Sequence, residues 1–243
     1  MFRVGGFEIT SFGVLVAVGA FIGLWVLGRE SRRSGVPSGS VDAGIAGVFG
    51  GLVGAKVLWV FEHAGERPFV ELLLARGGMS WFGGLAGGVG LGLLFLWLRR
   101  LPLMPVMSAA TPALTIGHAV GRIGCFLVGD DYGRPTDLPW GIAFPKGLPP
   151  TTVPVHPTQL YEALALVAVT LGLLSLRRRG ASDRGVVGAY LVSAGITRFA
   201  IEFLRVNVRV IGALSVAHIA ALTAIAIGSA LLLRRRPDGV RSA

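Results

Sequence analysis

Seven stretches of about twenty mostly apolar residues lie near 9–27, 42–61, 79–98, 107–127, 158–176, 186–204 and 211–233. A helix needs about 20 such residues to cross a hydrocarbon core. Inside that core every backbone polar group must be satisfied within the protein, which helices do segment by segment. The pattern therefore predicts an all-α integral membrane protein, a single polytopic domain over residues 1–243 with seven transmembrane helices. Only 15% of residues are charged, against about 25% in soluble domains. The 37 glycines suit helices that pack closely in lipid. One cysteine, Cys125, excludes a disulfide scaffold. The first run is long, polar at its front and not followed by an A-x-A site, so it reads as a retained span rather than a cleaved signal.

The net charge of +10 does not point to nucleic acid, because most basic residues fall in short clusters between the apolar runs. Thirteen lie on one side: Arg29, Arg32, Arg33, Arg99, Arg100, Arg177, Arg178, Arg179, Arg184, Arg234, Arg235, Arg236 and Arg241. Seven lie on the other: Arg3, Arg67, Arg76, Arg134, Lys146, Arg205 and Arg209. The richer side marks the cytoplasm, which places the N-terminus outside and the C-terminus inside. The longest connection, about 128–157, is then extracytoplasmic; it is rich in Pro, Gly and Asp.

Ionisable residues inside spans are costly and point to function. Here they are Lys56, His118, Arg122, Arg198 and Glu202. Arg198 and Glu202, at i and i+4, share a helix face and can pair, either as a structural lock or as part of a site. Lys56, beside Gly51, Gly54 and Ala55, reads as positive charge offered to a pocket. His118 on an apolar face reads first as a core histidine, and Cys125 as a small, inert core residue.

Three motifs concentrate the chemistry. Gly121-Arg122-Ile123-Gly124-Cys125-Phe126 runs on to Gly129-Asp130-Asp131-Tyr132-Gly133-Arg134-Pro135, with space around a guanidinium that suits phosphate. His156-Pro157-Thr158-Gln159-Leu160-Tyr161-Glu162 ends the outer loop and opens span five, placing an imidazole at the water boundary. Arg198 to Arg205 places Arg198, Glu202 and Arg205 on neighbouring turns of one helix. Several cations and one imidazole near the outer half of the membrane predict an anionic lipid headgroup as ligand. A metal site is not expected, since no His/Cys/Glu cluster has ligand spacing, and no G-x-S-x-G elbow is present. Asp130 and Asp131 are expected only to start a turn.

The sequence resembles the bacterial prolipoprotein diacylglyceryl transferases over nearly its whole length. The resemblance rests on Gly77 to Gly84, Gly121 to Arg134, His156 to Glu162 and Arg198 to Arg205. It implies an enzyme of the bacterial cytoplasmic (inner) membrane, without metal or organic cofactor. Such enzymes transfer the diacylglyceryl group of phosphatidylglycerol to the lipobox cysteine of prelipoproteins. A thioether forms and glycerol phosphate leaves. The family's essential arginines match Arg122 and Arg198, its motif histidine His156 and its motif glycine Gly133. Taken with the residue readings above, catalysis falls to Arg122, Arg198 and His156, a base such as His156 raising the reactivity of the thiol. Substrate binding falls to Arg122, Gly133, Arg134, Tyr161, Glu202, Arg205 and Lys56. Glu162 either orients this machinery or packs; Tyr132 and Tyr161 either bond lipid oxygens or anchor at the interface.

Three positions depart from many members: Phe82 stands for His, Phe12 for Tyr and Cys125 for Asn. A phenyl ring neither transfers protons nor hydrogen-bonds through its side chain. The chain thus reads as a divergent transferase that uses another base. A paralogue with a different acceptor and a phospholipid-binding or transport protein stay open as alternatives.

Overall fold

The computed structural model describes residues 2–4, 7–75 and 78–233. The expectations placed on Arg76, Gly77, Arg234, Arg235, Arg236 and Arg241 lie outside the described residues. Two short strands, β1 (Phe2–Val4) and β2 (Phe7–Ile9), pair antiparallel at the start. Helices α1 (Ser11–Arg33), α2 (Gly39–Glu62), α3 (Phe69–Leu74), α4 (Trp81–Leu98) and α5 (Leu103–Val128) follow. After them come β3 (Ile142–Phe144), β4 (Thr151–Val155), α6 (Thr158–Arg178), α7 (Asp183–Glu202) and α8 (Val216–Leu233). All these helices except α3 are long and apolar enough to cross a membrane, and they coincide with the seven expected spans.

Three boundaries differ from the expectation. Helix α1 runs on to Arg33, because Arg29, Glu30, Arg32 and Arg33 sustain a helix that hydropathy alone would end at residue 27. Helix α8 starts at Val216, after a turn in which Gly212 has φ 55 and Ile211 pairs with Leu214. Helix α7 stops at Glu202, so Arg205 lies past its end; there it forms an isolated antiparallel bridge with Gly133. The apolar Phe203 and Leu204 carry the helical pattern onward in sequence, but Leu204 O accepts from Arg134 N at 2.7 Å instead.

The chain divides into two compact units, Leu24–Ala110 on one hand and Met1–Gly23 with Thr111–Ala243 on the other. In the first, α2 lies along α4 through glycine. A Cβ at Gly54 would stand 2.4 Å from Gly83 O, and one at Gly87 2.2 Å from Gly50 O. No side chain fits there, so backbone packs on backbone.

In the second unit α7 packs on α6 and α8, and α1 meets α5 where Gly19 faces Gly117. Pro112 sits within α5, and Thr115 Oγ1 donates to Thr111 O at 3.0 Å beside it. Ser182 caps α7 by accepting from Gly185 N at 3.2 Å. The long connection is tied down: β3 pairs with β4, Pro135 bridges to Val155, and Tyr132 stacks on Phe144 with its hydroxyl donating to Pro149 O at 2.6 Å.

Candidate active site

Helix α6 begins with residues that grip the turn before it. Thr158 Oγ1 donates to Asp131 O at 2.9 Å, and Gln159 Nε2 donates to Asp130 O. Both side chains are fully buried. Gly133 N donates to His156 O at 2.9 Å, and a Cβ at Gly133 would collide with Leu204 O at 2.7 Å and His156 Cβ at 2.9 Å. Glycine is required there by close approach of three chain segments. Asp131, at φ 60, is thereby held so that its carboxylate turns toward α5 and Arg205.

The result is a closed ring of alternating charge. Asp131 Oδ2 accepts from Arg122 Nη1 at 2.8 Å. Arg122 Nε stands 3.0 Å from Glu162 Oε2, and Arg198 Nη1 stands 3.7 Å from the same oxygen. Arg198 Nη2 then donates to Glu202 Oε2 at 2.8 Å, which lies 3.9 Å from Arg205 Nε. Arg205 Nη2 returns to Asp131 Oδ1 and closes the circuit.

Three guanidiniums and three carboxylates thus neutralise one another where α5 and α7 end and α6 begins, and for the buried members an unpaired charge would be prohibitive. The ring is not uniformly sealed: the side chains of Glu162 and Glu202 are 3% and 0% exposed, that of Asp131 45%.

Outer contacts fix the ring. Glu202 Oε1 accepts from Asn207 Nδ2 at 2.7 Å and from Ser215 Oγ at 2.6 Å. His218 is fully buried, its Nδ1 3.1 Å from Ser215 Oγ and its ring edge-on to Phe199 and Phe203. His118 Nε2 lies 3.7 Å from Glu162 Oε1, one turn before Arg122 on α5. Four buried guanidinium nitrogens, Nε and Nη2 of Arg122 and Nε and Nη1 of Arg205, have no hydrogen-bond partner among the described residues, although each Nε faces a carboxylate at 3.0 or 3.9 Å.

The two aspartates outside the spans titrate in opposite directions. Burial pushes the Asp130 carboxyl up, and the neighbouring Asp131 charge adds to this against the pull of the Cys125 thiol and the arginines. Burial would also raise Asp131, but Arg205 and Arg122 outweigh it and hold that carboxyl below its usual range. Cys125, Asp130 and Asp131 place donor atoms within 4.8 Å of one another, and both oxygens of Asp131 are engaged by guanidiniums.

Of the residues expected from sequence, Arg122, Arg198, Glu202 and Arg205 come together in the ring, and the expected pairing of Arg198 with Glu202 is present. His156 and Tyr161 pair with each other, His156 Nδ1 3.4 Å from the Tyr161 hydroxyl, which accepts from Trp140 Nε1 at 2.7 Å. The side chain of Arg134 is exposed, while its backbone ties the loop to Leu204 and His156. Lys56 belongs to the unit Leu24–Ala110, where its Nζ donates to Ala75 O at 2.8 Å and stands over the Trp59 ring. Phe82, in that unit too, packs edge-on against Trp81.

Sequence reasoning passed over four members of this constellation. Asp131, read as a turn residue, closes the ring, because three clustered arginines need three counter-charges before any ligand arrives. His118, read as a core histidine, has a side chain 53% exposed and touches Glu162. Asn207 and Ser215 carried no signal, since they reach Glu202 only after the chain turns back beyond α7.

The family model described as prolipoprotein diacylglyceryl transferase matches residues 1–234. A phosphatidylglycerol–prolipoprotein diacylglyceryl transferase of Thermosynechococcus vestitus is 32% identical over 242 residues, covering 96% of this chain and 90% of the relative. One of Synechococcus elongatus is 31% identical over 99% of this chain and 90% of its own length. One of Clostridium tetani is 28% identical, with 94% of both chains covered. With the family model spanning almost the whole sequence and relatives above 30% identity aligned nearly end to end, the chain belongs to the prolipoprotein diacylglyceryl transferase family.

Proposed function

We propose that the chain transfers the diacylglyceryl group of phosphatidylglycerol to the thiol of a prelipoprotein lipobox cysteine, forming a thioether and releasing glycerol phosphate. The observation that carries the site assignment is that Arg122 and Arg205, two members of one ring, each keep buried donors with no hydrogen-bond partner among the described residues. Buried donors in native proteins find partners, and an anion bridging two guanidiniums supplies them.

The headgroup phosphate takes the place of Asp131, the one ring carboxylate with half its side chain exposed. Glu162 and Glu202 stay, holding Arg122, Arg198 and Arg205 in position. The thiolate attacks the glyceryl carbon, the carbon–oxygen bond breaks, and its electron pair remains on the phosphate oxygen. Charge that grows there meets guanidiniums already in place, which lowers the barrier without reorganisation.

Gly133, Arg134, Tyr161 and His156 border the route by which headgroup or peptide reaches the ring from the outer loop, and Lys56, within the unit Leu24–Ala110, carries a cation that suits an anionic lipid headgroup. The protein is a multi-pass membrane protein. We place it in the bacterial cytoplasmic membrane, N-terminus and 128–157 loop outside and C-terminus inside, with the site open to the outer leaflet, where lipid and signal peptide are both at hand.

The test is transfer by purified protein from phosphatidylglycerol to a lipobox peptide, read by mass spectrometry. A gain of one diacylglyceryl on the cysteine, absent from a Cys→Ser peptide, is expected. Lipid retained by the protein with no adduct on the peptide would make it a binding or transport protein instead.

A further inference from the structure

A thiol has a pKa near 8.5 and attacks as thiolate, so the transfer needs a proton acceptor beside the arginines. Four histidines are described. His63 is tied to Trp59, its Nδ1 2.9 Å from Trp59 O and its ring stacked on the indole. His218 is fully buried between Phe199 and Phe203. His156 rests against Tyr161 and makes no ion pair with the ring. His118 alone joins imidazole to the charged ring and remains half exposed.

Its surroundings suit a base. Glu162 on α6 faces Nε2 at 3.7 Å, and the same carboxylate meets Arg122 on α5 and Arg198 on α7. A carboxylate facing Nε2 draws the ring proton to that nitrogen, leaving Nδ1 with the lone pair. Arg122 lies four residues on, on the same face of α5, so proton acceptor and phosphate clamp are one helical turn apart.

Resting on the transferase reading above, we propose that His118 is the general base that activates the acceptor thiol in this protein. The thiol proton passes to His118 Nδ1, the sulfur pair forms the S–C bond to the glyceryl carbon, and the C–O bond breaks with its pair on the departing glycerol phosphate. The imidazolium then returns its proton to that phosphate, so the base is regenerated within one turnover. Glu162 is a positioning residue, holding the imidazole tautomer and steadying its charged form.

The experiment compares wild type, His118→Gln, His118→Ala and His156→Gln in transfer from phosphatidylglycerol vesicles to a lipobox peptide across pH 5.5–9.5. His118→Gln should lose about 10²–10⁴-fold in kcat/KM near pH 7, the usual span of general-base catalysis. The deficit should narrow to within about tenfold above pH 9, where the thiol ionises unaided. Imidazole added to His118→Ala should restore part of the rate, and His156→Gln, whatever it costs in rate by disturbing the entry route, should keep the acid limb of the pH profile that His118→Gln loses. Phosphatidylglycerol retained through gel filtration reports that each variant is folded. A His118→Gln profile parallel to wild type, or a loss that neither high pH nor imidazole relieves, overturns the proposal. Failure of wild type to form any thioether overturns the transferase reading itself.

Discussion

Helices α2 and α4 meet through bare glycine backbone, whereas α5, α6 and α7 meet through Arg122, Glu162, Arg198 and Glu202, with Asp131 and Arg205 closing the ring just beyond the helix ends. Both contacts lie in runs that hydropathy treats alike. The glycine contact is dry and cheap, since removing side chains lets dispersion act at short range without burying charge. The ionic contact is costly, because each buried ion must leave water, and it is held only while its buried partners remain. Structure alone would favour the glycine solution throughout. The charged solution in α5–α7 therefore marks where the chemistry resides.

The largest separation between the two regions is expected in stability. Glu202→Ala removes a fully buried carboxylate and leaves Arg198 and Arg205 each one carboxylate short. It should cost about 3–5 kcal/mol, seen as a large fall in the thermal unfolding midpoint in detergent. Gly87→Ala forces a methyl group onto Gly50 O. It should cost about 1–3 kcal/mol, the range for overpacking, while the specific activity of the folded fraction stays within about twofold of wild type. Equal losses from the two substitutions would erase the distinction between the regions.

Smaller effects are expected at the exposed edge of the ring. Asp131→Asn should change stability by less than about 1 kcal/mol, since its side chain is 45% exposed and its pairing is screened. It should nonetheless lower the KM for phosphatidylglycerol severalfold, because the phosphate no longer displaces a carboxylate. Asp131 has its folded-state pKa lowered by Arg205 and Arg122, so its contribution to stability is present above the ordinary carboxylate range. That contribution is lost as pH falls through the lowered value. Acid melting curves should therefore show a small loss below about pH 4 in wild type that is missing from Asp131→Asn.

The spans were legible because hydropathy and length are local properties, and Arg198 with Glu202 was legible because i,i+4 spacing is too. Ring closure was not. Asp131 and Arg205 are 74 positions apart and meet only after Thr158 and Gln159 fasten the turn and Gly133 lets three segments approach. Arg205 was placed on a helix because Phe203 and Leu204 continue the apolar pattern, and a backbone bridge to Gly133 overrides that pattern. His118 carries no signal of its own, because an isolated histidine in an apolar run usually packs. Its meaning came from Glu162, 44 positions on in sequence and 3.7 Å away in space.

The central claim is that guanidiniums in the ring hold the phosphate as it departs. Single-turnover transfer of diacylglyceryl to a lipobox peptide, measured by mass for wild type, Arg122→Ala and Arg198→Ala, tests it most directly. Each alanine variant should fall by at least about 10²–10³-fold, the loss seen when one preorganised charge-stabilising donor is removed. Either variant turning over at the wild-type rate while melting at the wild-type temperature would contradict the claim.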